Sequence, residues 1–279
     1  MAERALVLGS GGHAGGAWEV GVLAGLAAAG VDLSDADVVI GTSAGAVVGT
    51  RLAAGTSPGE LYERRSEPDA AGPPLRLAPG AVLRFLRAQL GRRTPEATAR
   101  RLGRMALRFP TVPEDEALEE MARLLPLREW PGRPLRVTAV DAYSGSLRAF
   151  HSGSGADLLR AVTASCAMPG LWPPVALCGR RWMDGGVRST TNADLARGHR
   201  RVVVLAPMPR AFGPGPRAER HAAALRAGGA RVALLTPDSA ARRAAGRNPL
   251  DPSRGAACAR AGRAQAASHA AALAGVWHD

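Results

Sequence analysis

Gly41-Thr42-Ser43-Ala44-Gly45 is the stretch on which the reading of this chain turns. A short apolar run, Val38-Val39-Ile40, leads into it, and a helix-forming stretch, Ala46 to Ala54, leads out. Strand, sharp turn and helix around a G-x-S-x-G pentapeptide form the context of a nucleophile elbow, a strained bend that projects the serine hydroxyl from the sheet edge. Gly41 and Gly45 must be small because strand and helix nearly touch at such a turn, and glycine tolerates its backbone angles. With 34 glycines in 279 residues, a Gly/Ser turn also arises by chance. The segments on either side carry the reading.

Toward the N-terminus, Ala5-Leu6-Val7-Leu8 reads as a buried strand, followed by a glycine-rich loop, Gly9 to Gly16, and a helix over Ala17–Ala29 that Gly30 ends. A serine nucleophile needs somewhere for negative charge to develop. A loop that opens a helix has unpaired N–H groups and a favourable dipole for an anion. Gly11 and Gly12 let the backbone approach an oxyanion closely, and the Ala44 N–H, just after the serine, adds a donor. Gly9-Ser10-Gly11-Gly12-His13-Ala14 also fits the dinucleotide fingerprint G-x-G-x-x-A. That reading lacks an acidic residue at the end of the second strand, which runs into the serine elbow instead.

The serine also needs a base. Of six histidines, a Ser–Asp–His order selects His199 or His221, both in Arg-rich, polar surroundings that read as surface. The serine follows only two strands, early for an α/β-hydrolase. Asp184-Gly185-Gly186 is the better candidate: it follows Arg181-Trp182-Met183 at a strand end, and its two glycines let the chain turn tightly. A carboxylate bonded directly to a serine serves as general base if burial raises its pKa toward the working pH. Asp-Gly-Gly by itself is more often a plain turn.

Further strands are expected over Leu135–Val140, Leu147–His151, Val175–Leu177, Trp182-Met183, Arg201–Ala206 and Arg231–Leu235. Ser144-Gly145 reads as a hairpin turn, Asp157 as the cap of a helix ending near Cys166, and Ser253–Gly275 as a closing helix. Strand–helix alternation at this spacing argues an α/β layer with parallel pairing. Residues 56–130 differ: Pro and Arg are frequent, and Val82–Leu90 has helical apolar spacing with basic residues between. They read as a helical insertion and a candidate cap. A basic amphipathic helix fits a peripheral contact with an anionic membrane, although an ordinary surface helix is the commoner outcome. The chain is read as one domain over 1–279, with the insertion at about 56–130.

An apolar fraction of 46% supports a real core. No apolar run approaches the ~20 residues that span a bilayer, and the N-terminus lacks a signal-peptide core, so a cytoplasmic location is expected. Cys166, Cys178 and Cys258 are scattered and suggest neither a disulfide framework nor a zinc cluster. Cys166 reads as a small buried residue. The net charge is +12, but all 36 basic residues are Arg, which points to codon bias rather than to a nucleic-acid partner. No nucleic acid, metal or cofactor is expected.

The order and spacing of these pieces resemble the patatin-like phospholipase family. The resemblance runs through Leu6–Gly55, Ala164-Ser165-Cys166-Ala167-Met168-Pro169-Gly170, Arg181–Asn192 and Val202–Leu205. It implies a three-layer α/β/α sandwich with a mainly parallel central sheet. It also implies a serine–aspartate dyad without histidine: Ser43 as nucleophile, Asp184 as the base that later activates the deacylating water, and the glycine loop as oxyanion hole. The substrate would be a lipid or other acyl ester. The family's loop commonly reads G-G-G-x-R-G, and here Ser10-Gly11-Gly12-His13-Ala14-Gly15 occupies its place. Ser10 replaces the first glycine and Ala14 the basic residue. The change removes a stabiliser of the loop or of a lipid phosphate but keeps the backbone donors; His13 is a partial substitute or, more commonly, a solvent-exposed loop histidine. Asn192 is a candidate brace for the Asp184 turn or, equally, part of a surface turn. The alternative is a lipid-binding or regulatory protein of this fold with weak turnover.

Overall fold

The computed structural model describes residues 3–66, 94–109, 111–125, 127–210 and 215–278, together with positions 80, 83 and 87. Among these residues, eight strands form a mixed, mainly parallel sheet: β1 (Arg4–Leu8), β2 (Val38–Gly41), β3 (Leu135–Asp141), β4 (Leu147–Phe150), β5 (Val175–Leu177), β6 (Arg180–Asp184), β7 (Arg201–Leu205) and β8 (Arg231–Leu235). Their order is β5-β6-β3-β2-β1-β7-β8, with β4 paired to β3 off this path. All eight lie where the apolar runs of the sequence put them.

Both faces of the sheet are covered, which is why its central strands read as unbroken apolar runs rather than alternating ones. Leu6 and Leu8 pack with α1 (Gly12–Ala28) and α9 (Gly255–Trp277), whereas Ala5 and Val7 pack with α7 (Ala218–Ala227). Side chains alternate across a strand, so neighbours serve opposite layers. The result is the expected sandwich with helices on both sides. The α1–α9 pair is close because its contact residues are small: a Cβ on Gly21 would lie 2.0 Å from the Ala259 carbonyl oxygen. Trp18 Nε1 donates to Gln265 Oε1 across this seam at 2.9 Å.

The site depends on β3. Its residues Leu135–Val137 pair with β2 in parallel, Ala139–Asp141 pair with β6 antiparallel, and Val137–Val140 pair with β4. The β4 register overlaps the other two, whereas those of β2 and β6 do not overlap. β2 and β6 therefore share one edge of β3 and run toward each other along it. Their C-terminal ends meet opposite Thr138, and Ser43 and Asp184 follow from those two ends.

Several elements depart from expectation. Helix α1 begins at Gly12, not Ala17, because Gly12 turns the chain at φ +60° and starts the helix inside the glycine loop. Within the insertion stand α3 (Pro58–Ser66), α4 (Pro95–Arg108) and α5 (Glu114–Leu124). Helix α6 (Leu158–Cys166), by contrast, is capped as expected by Asp157, whose Oδ1 accepts the Arg160 N–H at 2.8 Å. Helices α7 and α8 (Ser239–Ala245) arise from Ala/Arg segments with little apolar periodicity. Apart from positions 83 and 87, the basic amphipathic stretch Val82–Leu90 lies outside the described residues. Among the described residues, no helix is long and apolar enough to cross a membrane.

Candidate active site

The elbow at Ser43 is strained. Ser43 stands at φ 55°, ψ −120°, between the end of β2 and the start of α2 (Ala44–Ala53). A non-glycine residue at positive φ is uncommon and persists only where its surroundings hold it. Here the Thr42 N–H donates to the Leu8 carbonyl at 3.0 Å, the Gly45 N–H to the Gly9 carbonyl at 3.1 Å, and the Ser43 N–H to Ser165 Oγ at 2.9 Å. The end of β1 is pressed against the turn. A Cβ on Gly45 would lie 2.3 Å from the Leu8 carbonyl oxygen, and one on Gly41 2.5 Å from Ala46 Cα. Both glycines are there for close approach.

Asp184 ends β6 and is buried. Its Oδ1 accepts the Gly186 N–H at 2.7 Å, and the Ser43 hydroxyl stands near enough to its carboxylate to favour the charged form. Burial lifts its pKa from an ordinary 3.8 to about 6, against the opposing pull of the Gly186 N–H and the Ser43 hydroxyl. Gly185 has no room for a side chain, since a Cβ would lie 2.4 Å from Thr138 Oγ1. A Cβ on Gly186 would press on Asp184 Oδ1 and Ser10 Oγ, at 2.9 and 3.2 Å. The Asp-Gly-Gly segment is thus a strand end packed into a site.

Asn192 sits in the left-handed region at φ 47° and is fully buried, not a surface turn. Its Nδ2 lies within reach of Thr42 Oγ1 (3.2 Å), the Gly185 carbonyl (3.1 Å), the Ser189 carbonyl (2.9 Å) and Thr138 Oγ1 (3.4 Å). Arg188 donates to Asn192 Oδ1 at 3.0 Å and holds Asp194 with both Nη atoms, fixing the amide's orientation. One side chain therefore joins the residue before Ser43 to the turn after Asp184.

The glycine loop faces the serine. Gly9 and Ser10 spend their N–H groups on Leu205 and Thr190, and Ala14 donates to the Pro249 carbonyl. Among the described residues, the N–H groups of Gly11, Gly12 and Ala44 have no acceptor. They belong to the first turns of α1 and α2, where the helix dipoles add to their attraction for an anion. Gly11 is hemmed in: a Cβ there would lie 2.6 Å from Gly15 Cα and 2.7 Å from Pro207 Cβ.

Ser43, Asp184, Gly12 and Ala44 all line one cavity of about 900 Å³. Val47, Val48, Leu61, Met121, Leu124 and Trp172 make much of its wall apolar. His13 lines it too and is half-buried rather than solvent-exposed; burial, then the neighbouring Arg65, lower its pKa. Cys166 is a wall residue beside Ser43 rather than a core residue, and burial and the charge of Asp184 push its thiol far up. His199 and His221 are buried, not superficial, and neither lines the cavity. His221 Nδ1 lies 3.5 Å from Asp194 Oδ1.

Sequence reasoning missed Ser165, Thr138 and the cavity residues of α3 and α5. Ser165 lies in the Ala164–Gly170 segment that carried the resemblance, so a signal existed. Thr138 offers none, because its role comes from the strand register.

The fold and this site define a three-layer α/β protein with a serine elbow set against a buried aspartate. The chain belongs to the patatin-like phospholipase family, whose model matches residues 6–197. Strands β7 and β8 and helix α9 lie beyond that range, yet β7 pairs with β1 and α9 packs on α1. Among solved structures, VipD from Legionella pneumophila is similar at 16% identity with a TM-score of 0.40, over 74% of this chain and 50% of that one. The type III effector protein ExoU is similar at 17% with a TM-score of 0.42, over 96% and 53%. The chain thus spans about half the length of these two structures. No curated protein matches it.

Proposed function

We propose that the protein is a lipid acyl hydrolase working through an acyl-Ser43 intermediate, with Asp184 as its base. The Ser43 hydroxyl attacks the ester carbonyl and gives its proton to Asp184. The oxyanion that forms is held by the N–H groups of Gly11, Gly12 and Ala44, and its collapse expels the alcohol, which takes the proton back from Asp184. Asp184 then deprotonates a water that attacks the acyl-enzyme; the acyl–Oγ bond breaks, Ser43 takes the proton back from Asp184, and the fatty acid leaves. The acyl chain rests on the apolar wall of the cavity, with residues 56–130 as its cap in a single domain.

The observation that supports this reading is the pairing of a strained serine with a buried carboxylate of pKa about 6. Such a carboxylate is ionised at neutral pH yet basic enough to take a proton. Hydrolysis of 4-nitrophenyl butyrate by the protein, with Ser43→Ala and Asp184→Asn beside it, tests the reading. Both variants are expected to lose activity by about 10³-fold or more. Near-normal turnover in Asp184→Asn would remove the dyad.

The second reading, a lipid-binding protein with weak turnover, draws on Ala14, whose side chain supplies no charge where the family's loop commonly has a basic residue. Liposome co-sedimentation without esterase activity would favour it.

A further inference from the structure

The peptide between Gly11 and Gly12 has little steric preference of its own, because neither neighbour carries the Cβ that restricts φ and ψ. Its direction matters all the same. A backbone N–H helps an oxyanion only while it points at the place where charge develops. Gly12 stands at φ +60°, and the N–H groups of Gly11 and Gly12 have no acceptor among the described residues.

The loop is held from outside, on two sides. On one is Pro207, whose Cβ would lie 2.7 Å from a Cβ on Gly11 and 2.8 Å from one on Gly15. On the other is the chain between α8 and α9. A Cβ on Gly12 would lie 2.7 Å from the Pro249 carbonyl oxygen and 2.9 Å from Leu250 Cδ2. The same carbonyl accepts the Ala14 N–H at 3.0 Å. Ala14 is in the first turn of α1, where the helix itself offers that N–H no acceptor.

This segment is itself braced. Gly246 follows α8 at φ 66°, ψ −152°, a conformation left almost wholly to glycine, and turns the chain. Asn248 Oδ1 accepts the Leu250 N–H at 3.1 Å, and the Asn248 carbonyl accepts the Asp251 N–H at 3.2 Å. Helix α9 follows and packs along α1. Leu250 is half-buried and lines the cavity that Ser43 lines. Pro207, Pro249 and Leu250 all lie beyond residues 6–197, the range the family model matches.

We propose that Pro249 and Leu250 clamp the Gly11–Gly12 peptide in its oxyanion-binding direction, which makes Leu250 a positioning residue for the reaction. This rests on the hydrolase reading above and gives the segment after α8 a part in it. Without the Leu250 side chain over Gly12, the peptide gains room to turn its N–H away.

The test uses the full chain with Leu250→Ala and Leu250→Met, melting each to confirm that it is folded. On 4-nitrophenyl butyrate, Leu250→Ala is expected to lose kcat by about tenfold or more, with KM changed by less than about twofold. Leu250→Met should restore most of the loss. Two inhibitors separate positioning from wall contact. Octyl trifluoromethyl ketone adds to Ser43: Oγ bonds to the carbonyl carbon, the carbonyl oxygen becomes the oxyanion, and the serine proton passes to Asp184. Octyl methyl ketone binds without adding. Leu250→Ala should weaken the first about tenfold and the second hardly at all. An unchanged kcat, or equal weakening of both ketones, would overturn the proposal.

If the parent protein neither hydrolyses the ester nor captures the trifluoromethyl ketone, the hydrolase reading fails, and amide exchange decides the clamp. The Ala14 N–H, whose acceptor is the Pro249 carbonyl, should exchange at least about tenfold faster in Leu250→Ala. An unchanged exchange rate would overturn the proposal.

Discussion

Asn192 Nδ2 lies 3.2 Å from Thr42 Oγ1, a contact that spans 150 residues of sequence and fastens the serine elbow to the aspartate turn. The two strand ends that carry Ser43 and Asp184 meet with no covalent connection between them. Their separation is set by Thr138 beneath and Asn192 beside.

Replacing Asn192 by alanine removes this fastening and leaves buried acceptors unpaired. It also puts a residue without Asn's local hydrogen bonding at a left-handed position. We expect a stability loss of about 2–4 kcal/mol by thermal or urea melting. Among folded molecules, kcat should fall more than tenfold with little change in KM, because the wall of the cavity is untouched.

The base should appear in the pH profile. With a pKa of about 6, Asp184 accepts a proton from Ser43 only when ionised, so kcat/KM should fall below pH 6 along a single-ionisation limb and level off above it. An acid limb centred near 4, as for an exposed carboxylate, would contradict the burial argument.

The same group works against the fold. Folded Asp184 keeps its proton to about pH 6, while the unfolded residue releases it near 3.8. The native state therefore binds more protons than the unfolded chain between those values, and stability falls as pH rises through that window. Each pKa unit is worth about 1.4 kcal/mol, so the full loss is at most about 3 kcal/mol. Asp184→Asn should be more stable than the parent at pH 8 by up to that amount, with the gain vanishing near pH 3.5. Melting the two proteins at both pH values checks the sign.

Glu19 poses a similar question within α1. It is fully buried, neither oxygen has a hydrogen bond of normal geometry among the described residues, and burial, only partly opposed by the nearby Gly9 N–H, holds its carboxyl well above the usual range. Glu19→Met should raise the melting temperature, by about 1–3 kcal/mol in stability. The gain should grow as pH rises above about 4.5, where the unfolded carboxyl gives up its proton while the buried one keeps it.

The strands and the elbow were legible because burial writes itself into sequence as apolar runs, and sharp turns as glycine. Asp184 was legible only together with Ser43, since a lone Asp-Gly-Gly is usually a plain turn. The start of α1 was not: a run of glycines reads as loop, and only the packing of Gly11 and Gly15 on Pro207 lets it be helical. Nor was the burial of His199 and His221, whose Arg-rich neighbours suggested surface. Sheet register hid Thr138, and the meeting of α3 and α5 with the site hid their cavity residues, because distant segments meet there without a local pattern.

The central claim is that Ser43, activated by Asp184, is the nucleophile. Labelling with a fluorophosphonate, read by mass spectrometry of the digested protein, tests it most directly. The account predicts one adduct on the peptide containing Ser43, loss of esterase activity in step with labelling, and much slower labelling of Asp184→Asn. Active protein that is not labelled at Ser43, or a Ser43→Ala variant that still turns over ester, would contradict it.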